Sequence, residues 1–168
     1  RILMKTARLS VLCVTQSMQF NSRNGSYMNS RDALLTTQVE IDVPFHDCDP
    51  MQVVWHGNYA RYFEVARCEL LRLFDYDYDE MAASGFMWPI IDMRCKYIKP
   101  ARFRQVIVVT AYLKEYETRL RIDYVISDVE TGKKLTKATT IQVAVDIESK
   151  DMQFVSPPVL HDKLQKVM

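Results

Sequence analysis

The sequence predicts an α+β domain in which an antiparallel sheet of about five strands wraps around one long central helix. Three observations predict it. Apolar residues keep a sustained helical rhythm in one long stretch, Asn58 to Phe74. After Gly85 the period changes to two and stays there through four stretches. Strands grouped after helices, instead of alternating with them, exclude a parallel βαβ arrangement.

The first element is a strand over Gln38 to Phe45. Val39, Ile41, Val43 and Phe45 share one face, and Pro44 marks its exit. The turn "HDCDP" follows, with Pro50 disfavouring α conformation at Asp49. From Asn58 the chain turns helical. Tyr59, Tyr62, Phe63, Ala66, Leu70, Leu73 and Phe74 form one face, and Arg61, Glu64, Arg67, Glu69 and Arg72 decorate the rest. Asn58 is the expected N-cap. "YDYDEMAASG" reads as a shorter helix stopped by Gly85. Strands are then expected at Phe86 to Ile98, Val106 to Glu117, Thr118 to Val129 and Leu135 to Ile147, in antiparallel succession. "VIVVTAYL" is expected to be central, and "DVETGKK" is a hairpin with Gly132 at its tip. The tail from Pro157 to Met168 suits a short amphipathic helix.

A chain of 168 residues fits one domain. We expect residues 33–168 to form it and residues 1–32 to be a poorly ordered N-terminal extension. The apolar run Leu9 to Val14 is shorter than a signal-peptide core of about 7–15 residues. The formal charge of +1 supplies no basic excess for a nucleic-acid backbone. No apolar stretch approaches the roughly 18 residues that a membrane span needs. Cys13, Cys48, Cys68 and Cys95 form no CxxC pair, so reduced thiols and a cytoplasmic location are the plain reading.

The informative segment is "FHDCDPMQVVWHGNYARYFEVAR", Phe45 to Arg67. It gathers His46, Asp47, Asp49, His56 and Glu64 just before and inside the long helix. Taken alone, Asp49 before Pro50 is an ordinary turn carboxylate. His46, Asp47, Asp49 and His56 match no standard metal spacing, so no metal is expected. No G-x-S-x-G is present for a serine nucleophile. His56 reads equally well as a partner of the Asp49 carboxylate and as a buried histidine at the helix start. Trp55 and Tyr59 are candidates for an acyl pocket or for plain core.

This segment resembles the active-site region of the hotdog-fold acyl-CoA thioesterases of the 4-hydroxybenzoyl-CoA thioesterase type, including the bacterial enzymes encoded near Tol–Pal genes. The resemblance rests on Asp47, Asp49, Val53, Val54, Trp55, His56, Asn58, Tyr59 and Arg61-Tyr62-Phe63-Glu64. "CKYIKPARF", Cys95 to Phe103, and "GKKLTKATTIQVAVD" extend it over residues 36 to 148. Relatives carry Ala-Gly or Gly-Gly where this chain has Met51-Gln52, so bulk is expected there to narrow the acyl pocket or move the loop.

The resemblance implies a hotdog fold and hydrolysis of acyl-CoA or acyl-carrier-protein thioesters to free acid and thiol. It implies that Asp49 is the nucleophile or general base at the N-terminus of the central helix, with His56 beside it. Backbone N–H groups near His56 and Gly57 become the oxyanion donors. Val54, Trp55, Gly57, Asn58, Tyr59 and Lys99 are the implied substrate-binding residues. Lys99, Arg102 and Arg104 are candidates for the phosphates of coenzyme A, which enters only as part of the substrate; no cofactor is implied. A homo-oligomer, a dimer or tetramer, is the implied assembly. One rival is a hotdog dehydratase or hydratase, which requires Glu64 to face the substrate. A second is a module that binds acyl thioesters or acyl-carrier protein without hydrolysing them.

Overall fold

The computed structural model describes residues 32–168, so the expected extension at 1–32 lies almost wholly outside the described residues. Strand β1, Leu35–Asp42, alternates as its sequence demands: Thr37 and Val39 are buried, and Thr36, Gln38 and Glu40 are exposed. It starts and stops three residues earlier than expected. Pro44 lies beyond its end, and Phe45 opens a single 3-10 turn, Phe45–Asp47. Phe45 is therefore 72% exposed instead of buried. A second 3-10 turn, His56–Asn58, leads into α1, Tyr59–Arg72.

Helix α1 buries Tyr59, Tyr62, Phe63, Ala66 and Leu70, the face expected of it, and adds Leu71. It packs on β1 and on β4, Val106–Glu115. The ring of Phe63 reaches Tyr124 of β5, Leu120–Asp128, at 5.0 Å. Arg67 departs from its expected surface place and is 3% exposed. Its guanidinium is matched by Glu64 and by the Tyr78 hydroxyl, as a buried charge requires. Helix α2, Tyr78–Ala83, is capped by the Asp77 carboxylate, which accepts from the Asp79 N–H. It ends before Gly85, whose φ of +85° only glycine adopts without strain.

The expected strand Phe86 to Ile98 is two strands. β2, Phe86–Met87, pairs with β7, Val145–Asp146, in a separate small sheet. β3, Ile90–Tyr97, joins the main sheet. The break is Trp88-Pro89: Pro89 cannot donate to a ladder, and Trp88 is buried with its indole N–H on the Tyr76 hydroxyl. The main sheet runs β1-β4-β5-β6-β3, with β6 spanning Lys134–Gln142. All four pairings are antiparallel.

The succession is therefore not a simple meander. β3 pairs with β6, not β4, and lies at the edge opposite β1. β4 is interior as expected, but β5 holds the middle. Ile107, Val109, Ala111 and Leu113 of β4 and Leu120, Ile122, Tyr124 and Ile126 of β5 are fully buried. This is the continuous inner face that α1 covers. Helix α3, Pro158–Gln165, closes the chain with Leu160 and Leu164 buried. No helix among the described residues is long and apolar enough to cross a membrane.

Candidate active site

The loop between β1 and α1 is built around Asp47. Its carboxylate is buried, and Oδ1 accepts from Arg61 Nη1 at 2.9 Å. Oδ2 accepts from the Tyr62 hydroxyl, also at 2.9 Å. Burial first, and then Asp47 itself, push the Tyr62 hydroxyl well above the usual phenol range, so it remains a donor. The Asp47 carbonyl accepts twice more, from the Trp55 N–H and from Asn58 Nδ2, each at 2.9 Å. One residue thus joins the turn, the 3-10 entry and the first turn of α1.

Asp49 sits two residues on, in a different setting. It is half-buried. Its N–H donates to the Val53 carbonyl at 2.8 Å, and Cys48 bridges Val54, so residues 48–54 form a tight hairpin-like loop. Val54 ties that loop to the body by donating to the Ala101 carbonyl at 2.9 Å. Within the loop Asp49 Oδ1 accepts from the Met51 N–H at 2.8 Å and more weakly from Val53 at 3.5 Å. Oδ2 accepts no hydrogen bond among the described residues.

Asp49 lines a cleft of about 280 Å³ with Val54, His56, Tyr59, Tyr97 and Lys99. Tyr59 is its floor, buried, with its hydroxyl accepting from the Ala101 N–H at 3.0 Å. Six residues named from the sequence therefore meet here: Asp49, Val53, Val54, His56, Tyr59 and Lys99. His56 is exposed, and its ring lies 4.8 Å from Trp55. No hydrogen bond joins it to Asp49 among the described residues.

Trp55, Gly57 and Asn58 are not among the residues lining this cleft. Trp55 is half exposed and covers Gly57, where an added Cβ would fall 2.0 Å from the indole. Asn58 has helical φ and ψ and caps nothing with its side chain; its amide is spent on the Asp47 carbonyl. Met51 is 75% exposed and Gln52 is exposed too, so neither narrows the pocket. The departure from Gly falls instead on the backbone, because Gln52 has φ of +61°. Glu64 is engaged by Arg67 and Tyr78 and is not part of the cleft.

Tyr97 was not singled out from the sequence. It belongs to the cleft because β3 lies beside the head of α1, a placement no local pattern reports. A second cleft shares Lys99 and Pro100 and adds Arg102 and Lys133. Arg104 stands apart, stacked 5.0 Å from the Phe103 ring. The thiols nearby are not activated: burial, then Asp47 and Asp49, raise Cys48, and burial raises Cys95. Among the described residues no three His, Cys, Asp or Glu side chains cluster as metal ligands would.

A sheet wrapped on one helix, with a carboxylate loop at the helix head, defines a hotdog protein of the thioesterase type. The chain belongs to the thioesterase-like superfamily, whose sequence profile matches residues 43–166. YneP of Bacillus subtilis (strain 168), provisionally named an acyl-CoA thioesterase, is 32% identical over 117 residues. That match covers 68% of this chain and 84% of YneP. Among solved structures, the DHNA-CoA thioesterase of Staphylococcus aureus superposes with a TM-score of 0.69 at 26% identity, covering 79% of this chain and 90% of that one. A mutant 4-hydroxybenzoyl-CoA thioesterase complexed with 4-hydroxybenzoyl-CoA gives a TM-score of 0.67 over 77% of this chain and 98% of its own. At 17% identity that likeness shows the fold.

Asp47→Ala is expected to destabilise the protein by about 1–3 kcal/mol, because the buried Tyr62 hydroxyl loses its acceptor. Urea denaturation measures it. Gln52→Gly is expected to stabilise by about 0.5–1 kcal/mol, since the left-handed backbone is strained for Gln; the same titration reads that gain.

Proposed function

We propose that the chain hydrolyses acyl-CoA or acyl-carrier-protein thioesters, with Asp49 as the reacting carboxylate. The observation that carries this reading is the state of Asp49. Its Oδ1 accepts from two backbone N–H groups, its Oδ2 has no partner among the described residues, and it lines the cleft at the head of the helical run. A carboxylate so held is preorganised to attack a carbonyl carbon or to take a proton from water. In the first route Oδ2 bonds to the acyl carbon, the C–S bond breaks, and the thiolate leaves and is protonated. Water then cleaves the mixed anhydride. In the second, Asp49 accepts the proton of the attacking water directly. Labelled oxygen appearing in Asp49 after a single turnover in labelled water identifies the first.

The developing oxyanion needs donors. The N–H groups of His56 and Gly57 begin the helical run and have no acceptor within it, and the helix dipole adds positive potential there. His56 borders the same space and suits protonation of the leaving thiolate. Lys99, Arg102 and Lys133 bring three positive charges to the adjoining cleft against the one carboxylate of Asp128, an excess that suits the phosphates of coenzyme A or of a carrier's prosthetic arm. Coenzyme A is then part of the substrate, and the reaction uses no cofactor. The dehydratase reading is disfavoured by Glu64, which is held by Arg67 and Tyr78. Free thiols at Cys48, Cys68 and Cys95 suit a cytoplasmic enzyme.

The active form is a homo-oligomer joined through β3. This strand is a sheet edge, with Ile90, Ile91, Met93 and Tyr97 all more than 40% exposed. An open apolar edge invites pairing with another strand, and a second copy would complete the wall of the Asp49 cleft beside Tyr97.

Thiol release from a panel of acyl- and aryl-CoA thioesters tests the reaction. Asp49→Asn is expected to lower kcat by about a hundredfold or more with little change in melting temperature. Wild type that binds thioesters but releases no thiol would turn the assignment to a binding module. Met93→Asp is expected to shift the protein toward monomer in sedimentation. An unchanged oligomer would place the interface elsewhere.

A further inference from the structure

We infer that the rim of the Asp49 cleft is a docking surface for an acidic carrier protein that presents the acyl group on its prosthetic arm. Phe45, Met51 and Trp55 form the apolar contact, and Lys99, Arg102, Arg104 and Lys133 form the cationic border. This rests on the thioesterase reading above and chooses between the two thioester carriers which that reading allows.

Phe45, Met51 and Trp55 are each more than half exposed. All three flank Asp49 in the chain, and none lines the Asp49 cleft or the cationic cleft beside it. The Trp55 ring lies 4.8 Å from the ring of His56, which borders the Asp49 cleft. The Met51 N–H donates to Asp49 Oδ1, so the Met51 side chain stands at the tip of the loop that holds the carboxylate. Phe45 meets the Phe103 ring edge-on at 5.5 Å, and the Phe103 N–H donates to the Gln52 carbonyl at 3.3 Å. Phe103 therefore joins Phe45 to the loop tip. Single exposed apolar residues are ordinary, but a group of them around one opening marks an interaction site.

The cations stand beside this group. The Arg104 guanidinium lies 5.0 Å from the Phe103 ring. Arg102 bridges Val53 and lines the cationic cleft with Lys99 and Lys133. Against these four charges stand Asp49 and Asp128, and Asp128 is engaged by Thr131 and Gln105. Glu130 and Lys134 on the neighbouring hairpin add one charge of each sign. Asp42 lines a separate groove, between β1 and α1. The rim thus combines aromatic residues and Met with a net positive border, the composition of a protein interface. A free coenzyme A thioester occupies the two clefts and leaves Phe45 and Met51 in water. A carrier protein fills the clefts with its arm and covers the apolar rim with its own surface. The positive border favours an acidic face and speeds its approach.

The probes are a purified acidic acyl-carrier protein and coenzyme A, each loaded with the acyl group that the thioester panel favours. The double variant Phe45→Ser, Met51→Ser removes two side chains that lie outside both clefts. Its kcat/KM on the carrier thioester is expected to fall about tenfold or more, while that on the coenzyme A thioester stays within about twofold. Calorimetric titration with the unacylated carrier is expected to show wild type binding and the variant weakened to the same degree, with no chemistry involved. Equal losses on both thioesters overturn the inference, because the substitutions then act on the loop and not on docking. A wild type that does not bind the carrier overturns it, and so does a carrier Kd unchanged in the variant. A smaller oligomer of the variant in sedimentation assigns the rim to a second copy instead. Binding of wild type, but not of the variant, to phosphatidylglycerol vesicles assigns it to a membrane; either result overturns the inference. If wild type hydrolyses neither thioester, the proposed function fails, and the titration still decides the docking surface.

Discussion

The buried carboxylate of Asp47 is the constraint on which the site depends. A charge removed from water must be matched, and Asp47 is matched by Arg61 and Tyr62, both on α1. Its carbonyl meanwhile holds Trp55 and Asn58. The loop therefore cannot move without either dragging the helix or leaving a buried charge unpaired. Because α1 is itself fixed by Phe63, Ala66 and Leu70 against the sheet, the core's packing reaches the loop through Asp47, while Val54 and Tyr59 tie the cleft to Ala101.

Two aspartates separated by one residue thus divide the work. Asp47 is buried and saturated with donors from the helix, which makes it a fastener. Asp49 has one oxygen tied to its own loop and one without a partner among the described residues. The residue type is the same, and the environment decides the role. The chain accepts a left-handed Gln52 to close this loop, so the tightness that fixes Asp49 is obtained at the cost of backbone strain.

The sheet supplies the rest. Its inner face is filled by β4 and β5, and β3 remains at the edge with one flank uncovered. That edge carries Tyr97 to the head of α1 and leaves Ile90, Ile91 and Met93 exposed. The cleft therefore lies where helix, loop and open edge converge. Its polar outlet past Lys99 toward Arg102 and Lys133 runs along strand ends.

What the sequence determined by itself was whatever is periodic or local. The 3.6-residue rhythm from Tyr59 to Leu70 gave α1 and its buried face, and alternation gave β1, β4, β5 and β6. The run from Asp47 to Tyr59 marked the loop, and Asp49, Val53, Val54, His56 and Tyr59 of it line the cleft. Local signals misled where tertiary contacts compete with them. Asn58 looks like an N-cap, but its amide is drawn to the Asp47 carbonyl. Arg67 looks like a surface charge, but Glu64 and Tyr78 satisfy it inside. Phe86 to Ile98 reads as one strand until Trp88 is buried and Pro89 breaks the ladder. Only the tertiary structure decided that β3 pairs with β6 and brings Tyr97 beside His56. Strand order depends on which edges meet after long connections close, and periodicity carries no information about that partner choice.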